Sequence, residues 1–152
     1  MNVVLVDTSF WYAWFDLSDS LHDRAVSLWD AEKVPRIVTP YCLSELVTLI
    51  SRRADPRRAA AICRELRKGD LADVLDVTAV DETVGLSLIE KFSQLHLSYA
   101  DATACALVRR LDIPRILARL RFSSFGVASL RPRLQDRPHR ARGRRGRSGV
   151  TS

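Results

Sequence analysis

Short β-branched runs that alternate with helix-length amphipathic segments predict an α/β fold, a three-layer α/β/α domain on a short, mostly parallel sheet. Two further observations support it. The opening run "VVLV" is apolar at every position, as expected of a strand buried on both faces. Helical stretches begin repeatedly at a Ser, Thr or Asp, twice followed by Pro, which is the signature of a capped helix N-terminus.

Taken in order, residues 3–6 form the first strand and Asp7 caps a helix beginning near Ser9. "SLHDRAVSLWDAEK" (20–33) carries Leu21, Ala25, Leu28 and Trp29 at helical spacing, and Arg36–Val38 is the second strand, halted at "TP". Thr39 then caps, and Pro40 opens, the helix "PYCLSELVTLISRRA", with Leu43, Leu46, Val47 and Ile50 on one face. Asp55 and Pro56 start the next helix in the same way. A third strand lies within "ADVLDVTAV", Asp81 caps "ETVGLSLIEKFSQLH", "LSYADATACALVRRLDI" makes a further helix, and "PRILA" is the last strand.

The 152 residues are 47% hydrophobic and 28% charged, ordinary for one globular domain with its own core. No apolar run approaches the ~20 residues of a membrane helix, and "MNVVLVDTSF" lacks the basic leader and cleavage site of a signal peptide. Cys42, Cys63 and Cys105 lie in helical patterns without a CxxC or Cys/His cluster. They read as small buried hydrophobes, and the cytoplasm is the expected compartment. The net charge of +6 is unevenly spread. Residues 131–152 hold eight Arg and one Asp, leaving 16 basic and 17 acidic residues in 1–130. The expected organisation is a folded domain over 1–130 and an Arg-rich, disordered tail over 131–152 that attracts phosphates non-specifically.

Three acids stand out. In an open α/β sheet, ligands bind beyond the carboxyl ends of the strands. Asp7 follows the first strand, Glu45 lies about one and a half turns into the helix after the second, and Asp101 lies in the first turn of the helix before the last. Asp7 and Asp101 also have a purely local explanation, Asp7 as a helix cap and Asp101 as the partner of Ser98 in a capping box. Glu45 has none. Only Ser44, Glu45 and Thr48 are polar between Tyr41 and Ile50, so the helix is expected to be buried nearly all round and its carboxylate to be paired or bound to a cation. Clustered carboxylates repel, and a hard divalent ion, Mg²⁺ or Mn²⁺, relieves the repulsion. Zinc is disfavoured because His22, His96 and His139 lack ligand spacing.

"VVLVDTSFWYAWFD", "IVTPYCLSELVTLI" and "LSYADATACALVRRLDI" together resemble the PIN-domain nucleases, specifically the VapC toxins of bacterial toxin–antitoxin pairs. The likeness runs over roughly residues 1–127, in the family's order. It implies a Mg²⁺-dependent endoribonuclease that hydrolyses RNA phosphodiesters, usually a homodimer, silenced by a cognate antitoxin whose segment enters the active-site groove. Carried over, Asp7, Glu45 and Asp101 become the catalytic acids, Asp7 and Asp101 the metal ligands, and Ser9 a hydroxyl supporting the first acid.

The chain departs from the family at its fourth acid. Where the family has L-T-x-D-x-x-F, this sequence has "ILARLRF", and anchoring on Phe122 puts Arg119 at the acid's position. Two roles follow. Arg119 grips the substrate phosphate in a working enzyme, or it pairs with the remaining acids in a degenerate module that binds antitoxin or RNA without cutting. A receiver or haloacid-dehalogenase-like phosphatase shares the α/β layout, but "VDTSF" lacks the second Asp such a phosphatase needs. In "FWYAWF", Phe10, Trp14 and Phe15 are expected to form a buried stripe, and Trp11 to face a dimer mate or the antitoxin.

Overall fold

The computed structural model describes residues 1–118. Arg119 and the Arg-rich tail expected over 131–152 lie outside the described residues. Four short strands, β1 (Val4–Val6), β2 (Arg36–Val38), β3 (Asp73–Val74) and β4 (Arg115–Leu117), form one sheet in the order β3-β2-β1-β4. Every pair is parallel, with Leu5 opposite both Ile37 and Ile116. Six α-helices among the described residues connect them: α1 (Thr8–Phe15), α2 (His22–Ala31), α3 (Pro40–Arg53), α4 (Pro56–Arg67), α5 (Ala79–Lys91) and α6 (Tyr99–Arg110).

Strand alternation sorts the core into two layers. Val6 and Val38 point into a cluster with Phe10, Ala25, Cys42, Leu46 and Leu66, contributed by α1 to α4. Leu5 and Ile37 point the other way, onto Ala104, Leu107 and Val108 of α6. All three residues of β1 are buried, which is why that strand carries no polar alternation.

The caps follow the local rules closely. The side chains of Asp7, Thr39 and Asp55 each accept a backbone N–H of the first turn of α1, α3 and α4. At α5 the cap is Thr78, not Asp81. Asp81 sits three residues on, completing a capping box by accepting the Thr78 N–H. It is also buried and takes a two-pronged bond from Arg110, Nε to Oδ1 at 2.7 Å and Nη2 to Oδ2 at 2.8 Å. Local sequence could not place it, because Arg110 lies at the far end of another helix.

Trp11 corrects a second expectation. Its ring is fully buried within the monomer, packed edge-on against Trp14 (6.1 Å between centroids) and close to Trp29 (5.4 Å), so it cannot anchor a partner. Among the described residues its indole N–H has no hydrogen-bond partner. Phe10 is buried as expected, while Trp14 and Phe15 are half-buried. Across from Trp29, the Arg36 guanidinium lies 3.7 Å from the ring centroid and donates to the Trp29 and Glu32 carbonyls, closing the C-terminus of α2.

Where α5 crosses α6, Gly85 permits a close approach. A Cβ there would stand 3.1 Å from Thr103 Cγ2, 3.2 Å from its backbone N and 3.3 Å from the Ala102 carbonyl carbon. Gly85→Ala gains about 1 kcal/mol of helix propensity but overpacks against backbone at a cost of about 1–3 kcal/mol. A net loss of stability is expected in urea unfolding, and a net gain would refute the close-crossing account. The Asp81–Arg110 pair holds the Asp81 carboxyl down to about 2 from an ordinary 3.8. The ionised form therefore adds roughly 2 kcal/mol to stability above pH ~4. Asp81→Ala should be less stable than the parent at pH 7, and the difference should shrink as pH falls from about 4 to 2.

Candidate active site

The chain leaves β1 toward β2 on one side, while β4 enters on the other, so the connections diverge around the end of β1. Asp7 occupies that point. Its N–H still donates to the Leu117 carbonyl of β4 at 2.9 Å, so its backbone belongs to the sheet. Its side chain belongs to α1, where Oδ2 accepts the Ser9 N–H at 3.0 Å and the Ser9 hydroxyl at 2.5 Å. Only 4% of the residue is exposed. Burial pushes its carboxyl up to about 6, the Ser9 hydroxyl opposes that rise, and the Asp101 charge adds to it.

Glu45 is held from α1. The Thr8 hydroxyl stands 2.8 Å from Glu45 Oε2 and 3.3 Å from the Cys42 carbonyl, and its single proton favours the shorter contact. The helix is less buried than its composition suggests. Ser44 and Thr48 are exposed and Glu45 is half-buried, so the carboxylate stands at the border between core and solvent. Asp101 completes the capping box of α6. Its Oδ2 accepts the Ser98 N–H and its own N–H donates to Ser98 Oγ, both at 3.1 Å. Burial raises its proton affinity, the Ser98 bonds lower it, and the Glu45 charge raises it again.

Asp101 therefore lies within electrostatic reach of both Asp7 and Glu45. Asp7 caps α1 and Asp101 lies in the first turn of α6, where the aligned peptide dipoles favour negative charge. The ion pairs among the described residues engage Glu65, Asp81 and Glu32, and none of the trio. Among the described residues no three His, Cys, Asp or Glu side chains form a ready-made ion cage. Beneath the acids, burial raises the Cys42 thiol to about 11 and the Cys105 thiol to about 12, the latter reinforced by the Asp101 and Asp7 charges. Both stay protonated and neutral.

Two features escaped the sequence reading. Thr8 ties the first acid's helix to Glu45. An aromatic pair also borders the site: Tyr41 and Tyr99 meet edge to face, 5.1 Å between centroids at 72°. The Tyr41 hydroxyl donates to Glu82 of α5, whose carboxylate lifts the phenol to about 12. The hydroxyl pair in "DTS" was a visible signal for Thr8; the tyrosines come together only in three dimensions.

A buried carboxylate thus follows the first strand, and acids from two separate helices stand near it. The PIN domain family pattern matches residues 4–124, and the chain belongs to that family. Within it the chain is a VapC-type endoribonuclease, homologous to the toxins of VapBC pairs. It is 33% identical over 132 residues to the 23S rRNA-specific endonuclease VapC20 of Mycobacterium tuberculosis, covering 86% of this chain and 99% of the relative. It is 26% identical over 124 residues to Ribonuclease VapC26 of the same species, covering 80% and 91%. The crystal structure of M. tuberculosis VapC20, described as a sarcin–ricin loop cleaving toxin, superposes with a TM-score of 0.74 at 30% identity, over 81% of this chain and 95% of that one.

Because Asp7 binds its proton more tightly in the fold than in the open chain, its ionised form opposes folding by roughly 3 kcal/mol above pH ~6, a cost absent below pH ~4. Asp7→Asn keeps a capping oxygen and removes the charge. In metal-free buffer at pH 7 it should melt higher than the parent, with the advantage fading as pH falls toward 4. A lower melting temperature at pH 7 would show that the charge is compensated.

Proposed function

We propose that this chain hydrolyses RNA phosphodiesters with Mg²⁺, using Asp7, Asp101 and Glu45, and that its target is large-subunit ribosomal RNA. The observation that carries the reading is the buried Asp7, which has no cationic partner among the described residues and faces the charge of Asp101. The residues fit the ion: hard oxygen donors, no cationic partner among the described residues, and repulsion that a cation removes. Mg²⁺ commonly binds through one or two carboxylates and retains water, so a pair of acids suffices. Asp7 and Asp101 are the residues that would hold it, or Mn²⁺ in its place. When bound, such an ion offsets charge on phosphate oxygens and acidifies a water.

The protein's own groups supply the rest. Ser9 fixes Asp7 Oδ2. Thr8 occupies Glu45 Oε2, which leaves Oε1 to take a proton from the attacking water. Arg119, two residues past β4 in the sequence, is assigned to the substrate phosphate, as guanidinium geometry suits. The ribosomal target is supported by the likeness to VapC20 over nearly that protein's whole length. A cognate antitoxin, a homodimer and a cytoplasmic site of action complete the reading. Among the described residues no helix is long and apolar enough to cross a membrane.

Purified ribosomal RNA incubated with the full chain should be cut at discrete positions in Mg²⁺ and left intact in chelator. Glu45→Gln should slow cutting by about 10²–10⁴-fold, the span of a lost general base. Mg²⁺ should raise the melting temperature of the parent and do so less for Asp7→Asn. Cutting that survives chelation, or is indifferent to Glu45→Gln, would overturn the assignment.

A further inference from the structure

We propose that Tyr99, braced by Tyr41, is a stacking platform for a nucleobase beside the scissile phosphate. This deepens the ribonuclease reading above and rests on it. Tyr99 is the one aromatic among the exposed large hydrophobics of the described residues, at 37% exposure. Phe10 and the three tryptophans are instead packed into the α1/α2 core. An exposed ring in such a chain calls for a reason.

Its position supplies one. Tyr99 opens α6 two residues before Asp101, and Tyr41 lies in the first turn of α3, four residues before Glu45 and on the same helix face. α3 begins where β2 ends, and α6 runs back against β4, so both N-termini stand at the edge of the sheet that carries the acids. The Tyr41 ring is fixed twice, by its hydroxyl bond to Glu82 and by the edge-to-face contact with Tyr99. A stacking surface anchored through α3, α5 and α6 loses little freedom when a base settles on it.

Charge selects the occupant. Glu82, Glu45 and Asp101 make the surroundings anionic, which disfavours a bare phosphate against the rings. A base face is uncharged and stacks on tyrosine whatever its identity, so the platform adds affinity and orientation rather than a strict code. Pinning the base beside the cut bond fixes the phosphate's position relative to the acids.

The test compares a short fluorescein-labelled single-stranded RNA with an abasic chain of the same length, binding to the full protein in Ca²⁺ buffer, followed by anisotropy. Tyr99→Ala should weaken binding of the RNA by roughly 5- to 150-fold, the span of one base stack, and leave the abasic chain and the salt dependence unaltered. Tyr99→Phe should keep the parent's affinity and Tyr99→Leu should not. Melting curves on each variant verify folding, and Phe against Leu separates the ring from mere bulk. Unchanged RNA affinity in a folded Tyr99→Ala, or equal losses for both chains, would overturn the platform. So would a Tyr99→Ala protein that turns from dimer to monomer in sedimentation, because the ring would then belong to a protein interface. Normal Mg²⁺-dependent cutting with no stacking effect would sink this inference alone, whereas stacking without cutting by the parent would sink the nuclease reading.

Discussion

A buried carboxylate with no cationic partner among the described residues is the constraint around which this domain is arranged. Asp7 ends a strand, caps a helix and carries a displaced proton affinity, and these are one circumstance. The β1–α1 junction leaves no slack between the last ladder bond to Leu117 and the first turn of α1. The side chain is therefore delivered to a fixed place. Its charge is tolerated there because the Ser9 hydroxyl and the backbone N–H groups of Thr8 and Ser9 oppose the burial.

The same economy recurs at the other two acids. Asp101 closes its own capping box and still lends its charge to Asp7, while Glu45 is held by a hydroxyl from the helix that Asp7 caps. The purely local explanation of a capping acid and the functional one are thus compatible. A cap fixes one oxygen of a carboxylate in space, which is the preorganisation a polar site needs. The N-termini of α1 and α6 give Asp7 and Asp101 a favourable field before any ligand arrives. The layer behind them, α6 on the sheet and α5 on α6 through Gly85, sets the depth at which Asp101 stands.

How much of this could be read from the sequence depended on the range of the interaction concerned. Thr39–Pro40 and Asp55–Pro56 declare their helices because capping involves residues two or three apart. The buried β1 declares itself through uniform apolarity. Asp81 looked like a cap because its true anchor, Arg110, is 29 residues away. Trp11 fell between the expected stripes of an ideal helix, yet α2 folds over it and buries the whole ring. Composition makes the α3 face around Glu45 look more buried than it is, since it does not say that Ser44 and Thr48 both meet water. The three acids stand out in the sequence because their order along the chain follows the order of strands and helices; Thr8 and the tyrosine pair depend on contacts between helices.

The crowding of Trp11, Trp14 and Trp29 has an optical consequence. All three tryptophans of the chain lie within 6.1 Å of one another, centroid to centroid, on the α1–α4 side of the sheet. Indoles so close exchange excitation, and their emission reports one neighbourhood rather than three. Intrinsic fluorescence of this protein is therefore a gauge of the α1–α2 corner and is nearly blind to α5 and α6. Far-ultraviolet dichroism, by contrast, sums over every helix. Superposition of the two signals during unfolding would mean that the layers on either side of the sheet come apart as one cooperative unit; separation would date the loss of each layer independently.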